Sequence, residues 1–222
     1  MDKRFLFHGL ASGVSGHITL PSEHLIEVQA PSALPPNGGH SASRVECFRY
    51  EHILSFSAAH SVTTGNESGQ HYNTLATAII EGLNILNVVT ADRVVARLAS
   101  NYSKDKGEHS ATLAGSRFEN LRIAGCPVEV VMDPVRLTSL RRSPKAQLST
   151  LAAPAKLEGC PGVERLQDGA LYIPQFGKIY LAEYLSTACY QSLTMLRVVL
   201  GCAVSGQVST GHVSTDGEPM PG

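Results

Sequence analysis

The side chains able to do chemistry are scattered along this chain. Nine histidines stand at positions 8, 17, 24, 40, 52, 60, 71, 109 and 212. No two have the His-Glu-x-x-His spacing that sets a pair of imidazoles on one helical face around zinc. His52 and His60 share a strand parity with Glu46 and Tyr50. Imidazole, phenol and carboxylate on one surface are the groups that acid/base catalysis or a metal site would use. Eight residues of extended strand span about 26 Å, so both histidines reach one ion only if the strand bends. Asp92 shares the parity of Val88, Val94 and Leu98, and Glu183 that of Ile179, Leu181 and Leu185. A carboxylate on an apolar face must be paired, hydrogen-bonded or protonated. Two such groups with separated pKa values could work as an acid and a base. Pairing with Arg93, Arg97, Arg122 or Arg197, or with turn amides, meets the same need and is the favoured reading. The candidate catalytic set is therefore Tyr50, His52, Asp92 and Glu183.

Other signatures fall short. Gly9, Gly13 and Gly16 give G-x-x-x-G-x-x-G, which is not the dinucleotide fingerprint, and no strand-to-helix unit surrounds them. Gly13-Val14-Ser15-Gly16 lacks the G-x-S-x-G spacing of a nucleophile elbow. The five cysteines, at 47, 126, 160, 189 and 202, form no C-x-x-C, and none has a neighbouring basic residue to lower its pKa. An odd, widely spaced set reads as mostly free core thiols, although one or two disulfides also fit. No cofactor and no metal is expected. Aromatic residues are 6% of the chain and tryptophan is absent, which disfavours an open sugar-binding groove.

The elements that must position these groups are strands. The chain has 222 residues, enough for one all-β domain that buries its own core. Charged residues are only 17%, below the usual share of about 25%. Low charge with many small, hydroxyl and β-branched residues suits long sheets. The net charge of −1 offers no field for nucleic acid or an anionic membrane. No apolar run approaches the roughly 20 residues of a transmembrane helix. The first residues are basic but lack the apolar stretch of a signal peptide.

Long strands are expected over residues 4–20, 44–64, 72–85 and 88–101, with a loop at 30–43 and a Gly/Asn-rich turn at 65–69. Residues 134–162 read as an irregular, partly helical insertion. Leu137, Leu140, Leu148 and Leu151 have helical spacing, which Pro144 and Pro154 interrupt. Strands return at 171–173, 178–186 and 193–208. Residues 211–222 lack core side chains and read as a flexible tail, leaving 1–210 as a single β-rich domain. The fold class is mainly β, a sandwich or barrel of long antiparallel strands.

Residues 76–131 carry a resemblance. Ala76-Thr77-Ala78-Ile79-Ile80-Glu81-Gly82-Leu83-Asn84-Ile85-Leu86 runs into Val89-Thr90-Ala91-Asp92-Arg93-Val94. After a polar hairpin come Phe118-Glu119-Asn120-Leu121-Arg122-Ile123-Ala124-Gly125 and Pro127-Val128. This resembles the bacterial choice-of-anchor P surface-protein domains, as do Phe176-Gly177-Lys178-Ile179-Tyr180-Leu181 and Leu193-Thr194-Met195-Leu196. The likeness covers about half of the chain and implies a surface location and no catalytic residues. The lack of a secretion signal and the five cysteines point instead to the cytoplasm.

Two functions are weighed. The first is a non-enzymatic surface-type or self-assembling β-domain, a homo-oligomer joined through strand edges. The second is a small-molecule binder or acid/base enzyme with Tyr50, His52, Asp92 or Glu183 around one cavity.

Overall fold

The computed structural model describes residues 5–132, 146–154, 160–188, 190–201 and 203–219. Every regular element in them is a strand. The first are β1 (Phe5–Leu20), β2 (His24–Gln29), β3 (Ser32–Ala33), β4 (Gly39–Tyr50), β5 (Leu54–Ser68), β6 (His71–Ile85) and β7 (Val89–Ser103). Shorter pieces follow: β8 (Glu108–Thr112), β9 (Arg117–Glu119), β10 (Arg122–Ile123), β11 (Cys126–Pro127), β12 (Val130–Met132), β13 (Gln147–Thr150), β14 (Ala152–Pro154), β15 (Glu164–Arg165) and β16 (Leu171–Ile173). The last are β17 (Gly177–Ser186), β18 (Gln191–Leu200) and β19 (Ser205–Pro219).

They form two large antiparallel sheets. One runs β15-β16-β17-β18-β19-β1-β2, with β13 also on β17 and β3 also on β1. The other runs β11-β10-β7-β6-β5-β4, with β8 and β9 also on β7. The sheets pack face to face, β1 and β19 lying over β5, β6 and β7. No described strand of one pairs with a strand of the other, so each keeps its edges.

The interior is built from alternate residues of both sheets, among them Val14, Ile18, Ile80, Leu98, Leu196 and Val213, all fully buried. Across its middle the side chains are small. A Cβ on Gly13 would lie 2.8 Å from the Cβ of Ala59 in the facing sheet. A Cβ on Gly211 would lie 3.4 Å from that of Ala96. The two backbones approach so closely there that only glycine and alanine fit between them.

One transverse row in each sheet breaks the ladder. In the first sheet it is Ala182, Met195, Gly211 and Gly13; in the second, Cys47, Ser57, Gly82 and Asp92. Alternate members take left-handed backbone: Ala182 at φ 50, Gly211 at 63, Cys47 at 54 and Gly82 at 63. The inward parity inverts along these rows. In β1 the residues 5, 7, 9 and 11 point in before the row, and 14 and 18 after it. In β7 the inward set changes from 89 and 91 to 94, 96 and 98.

Three expectations need correction. The described parts of the 134–162 stretch are not helical: residues 147–150 and 152–154 are β13 and β14, held by pairing with β17 and β12. Tertiary pairing overrides the local leucine spacing there. Residues 133–145 and 155–159, with Leu137, Leu140 and Pro144, lie outside the described residues. The expected tail is instead the second half of β19 up to Pro219, a central strand between β1 and β18. Its buried residues are Gly211, Val213, Ser214, Thr215 and Gly217, all small, and residues 220–222 lie outside the described residues. The expected loop at 30–43 also holds β3 and the start of β4.

Candidate functional site

Two features stand out, an open edge and a charged cleft. The edge belongs to β4, 12 residues long, which pairs with β5 on one side and with no described strand on the other. None of its side chains is buried. Arg44 and Glu46 form an ion pair on it. The left-handed backbone of Cys47 interrupts the strand near its end, leaving residues 39–46 as a run paired without a break to β5. Kinks and charges on an edge are ways of limiting its pairing.

The cleft lies where β17 changes partners. Residues 177–179 pair with β16 and residues 183–186 with β13. Between them Ala182 turns left-handed, and its carbonyl accepts a hydrogen bond from the Leu151 amide at 2.9 Å. The gap opens a cleft of about 670 Å³. Glu183 is 8% exposed in it and accepts from Arg197 at both oxygens, Nε to Oε2 and Nη2 to Oε1, each 2.6 Å. The Glu183 carboxylate holds the Arg197 pKa above its ordinary value against the opposing effect of desolvation. The guanidinium also lies 3.9 Å from the Tyr180 ring centre. The Tyr180 hydroxyl donates to Asp168 Oδ2 at 3.4 Å, and Asp168 Oδ1 accepts from the Ala170 amide at 3.1 Å. Arg165 stands exposed at the rim.

The four candidate residues do not converge. Tyr50, at the end of β4, stacks on His24 of β2 at 4.5 Å and bridges the two sheets at their edge. His52 is exposed in the turn between β4 and β5. Asp92 is exposed on the broken row of its sheet and accepts from Asn120 Nδ2 at 2.6 Å. Glu183 lies on the other sheet. Glu183 is bonded to Arg197, and Asp92 to the side-chain amide of Asn120 rather than to an arginine or a turn amide. Tyr180, Asp168 and Arg165 carried no signal in the sequence, because what unites them is the partner change of β17.

Other groups are local. Phe5, Phe7, Tyr72 and Tyr102 form a separate aromatic cluster, with Phe5 stacked on Tyr72 at 4.2 Å and Lys104 over the Tyr72 ring. Half-buried His212 is hydrogen-bonded through Nδ1 to Thr194 Oγ1 at 3.0 Å, and burial lowers its pKa. Cys47, Cys126 and Cys160 are free thiols. A hydrogen bond with Cys126, then burial, raises the Cys160 pKa. Cys189 and Cys202 lie outside the described residues. Among the described residues no group of three or more His, Cys, Asp and Glu is placed to hold a metal ion.

Two stacked antiparallel sheets, with an open edge on one and a charged cleft on the other, define a mainly β protein. No described helix is long and apolar enough to cross a membrane. The chain belongs to the family described as Domain of unknown function (DUF8256), whose model matches residues 5–161. No curated protein and no solved structure matches it. The matched span takes in the β4 edge and ends before Arg165, Asp168, Tyr180, Glu183 and Arg197.

Proposed function

We propose that this chain is a non-enzymatic, surface-type β-sandwich domain that self-associates by strand addition along the free edge of β4. The observation that carries this reading is the open row of backbone donors and acceptors on residues 39–46, beside exposed side chains. A second copy laid antiparallel on that run would form about eight hydrogen bonds, each worth about 1 kcal/mol net. Association costs on the order of 4–15 kcal/mol, so one edge contact gives a weak dimer. Copies held side by side would multiply that affinity without any new contact. The separation of Tyr50, His52, Asp92 and Glu183 gives the acid/base alternative no shared cavity to work in.

The test is light scattering across a concentration series with reductant, which keeps exposed Cys47 from cross-linking copies. The mass should rise reversibly with concentration. Ala42→Lys, at an exposed edge position, should suppress the rise by setting like charges opposite each other across the pair. A monomer at every concentration, or a dimer indifferent to Ala42→Lys, would refute strand addition at this edge.

A further inference from the structure

The cleft on β17 has guanidinium donors left over, while each carboxylate oxygen in it already accepts a hydrogen bond. Both oxygens of Glu183 accept from Arg197. Both oxygens of Asp168 accept as well, from Ala170 and Tyr180. On the donor side, Arg197 commits Nε and Nη2 to Glu183 and also engages Tyr180, which leaves Nη1 without a carboxylate partner. Arg165 has no ion pair among the described residues. Gln167 adds an amide to the lining. Beside these donors lies an apolar wall, with Leu148 64% exposed and Leu151 buried. The wall exists because Ala182 holds left-handed backbone in mid-strand, a strained conformation for alanine that lets β13 dock at this point.

We infer that this cleft binds a small organic carboxylate, gripped by Arg165 and Nη1 of Arg197, with its apolar body along Leu148. A guanidinium fork matches a planar carboxylate in geometry and charge. A cationic ligand would compete with Arg197 and Tyr180 for oxygens already engaged. Asp168 and Glu183 cancel the charge of the two arginines, so the cleft has no net charge to balance a dianion, and phosphate, with twice the charge of a carboxylate, is the more disfavoured. Neither β4 nor its pairing enters this inference, so it stands or falls apart from the self-association reading.

The experiment follows the arginine Nε–Hε signals of the full, 15N-labelled chain at constant pH and ionic strength. The probes are hexanoate, hexanol and inorganic phosphate. Hexanoate should shift the Arg165 and Arg197 signals saturably, and hexanol should not. Arg165→Gln, at an exposed position that leaves the fold intact, should weaken hexanoate about tenfold or more, read from Arg197. Four outcomes would overturn the assignment: no saturable shift, equal binding by Arg165→Gln, equal binding of hexanol, or tighter binding of phosphate than of hexanoate.

Discussion

Gly13→Ala tests the close approach of the two sheets. The added methyl would sit 2.8 Å from the Ala59 Cβ and 3.2 Å from the Gln29 carbonyl oxygen. Carbon atoms in contact prefer about 3.5–4.0 Å, so the overlap with Ala59 is roughly 0.7–1.2 Å. Neither partner is the far end of a flexible chain, and both belong to sheets fixed by long ladders. Overpacking of this kind costs about 1–3 kcal/mol. Gly13 has ordinary backbone, so alanine recovers about 0.4–1 kcal/mol from the unfolded state. The net loss should be about 1–2 kcal/mol, or roughly 2–8 °C in Tm for a chain of this size. The chain has no tryptophan, so circular dichroism during thermal and urea unfolding is the assay. Ala59→Gly alone should cost about 1–2 kcal/mol, from one buried methyl and one strand glycine. In the double variant the two methyls no longer meet, so the losses should fall short of additivity by about 1 kcal/mol. Additive losses, or a Gly13→Ala chain as stable as the parent, would refute the contact and the sheet spacing behind it.

Two further outcomes follow from the first sheet. Glu183→Gln strips the charge from the partner of Arg197, whose side chain is 25% exposed against 8% for Glu183. Breaking a fully buried pair costs about 3–5 kcal/mol, and the exposure of Arg197 reduces this to about 1–3 kcal/mol, checked by the urea midpoint at neutral pH. His212 has its pKa lowered from 6.5 by burial, so the unfolded chain takes up the proton more readily than the folded one. Stability should therefore fall as pH drops through 6.5 toward the lower folded value, and be insensitive to this group above it. His212→Gln should flatten that part of the stability profile, and an unchanged slope would assign it to other groups.

The candidate site was legible only in pairs. Burial logic asked for a compensating group beside Glu183, an arginine or turn amides, and the structure places Arg197 there, because a carboxylate covered by protein must be compensated wherever it lies. The cleft around that pair was not legible. Arg165, Asp168 and Tyr180 come from separate strands and turns, and only the exchange of β16 for β13 along β17 brings them together. Open edges, by contrast, follow from long strands with many hydroxyl and small residues, but which strand ends a sheet depends on pairing order.

Composition and alternation by themselves determined that the chain is mainly β and where most long strands run. That Gly13 meets Ala59 across the sheets belongs to the tertiary structure. What only the tertiary structure decided is which side chains face inward. Alternation assigns a whole strand to one parity, yet each sheet is crossed by a row where the ladder breaks and the parity inverts. Asp92 shared a parity with Val94 and Leu98 and is exposed, because it stands on the row itself and the inward parity changes beyond it. Glu183 shared one with Leu181 and points away from the core, because Ala182 stands between. An inversion costs a strand nothing in composition. It leaves a mark only when neighbouring strands invert together, and that alignment arises from register across the sheet, not from any one segment.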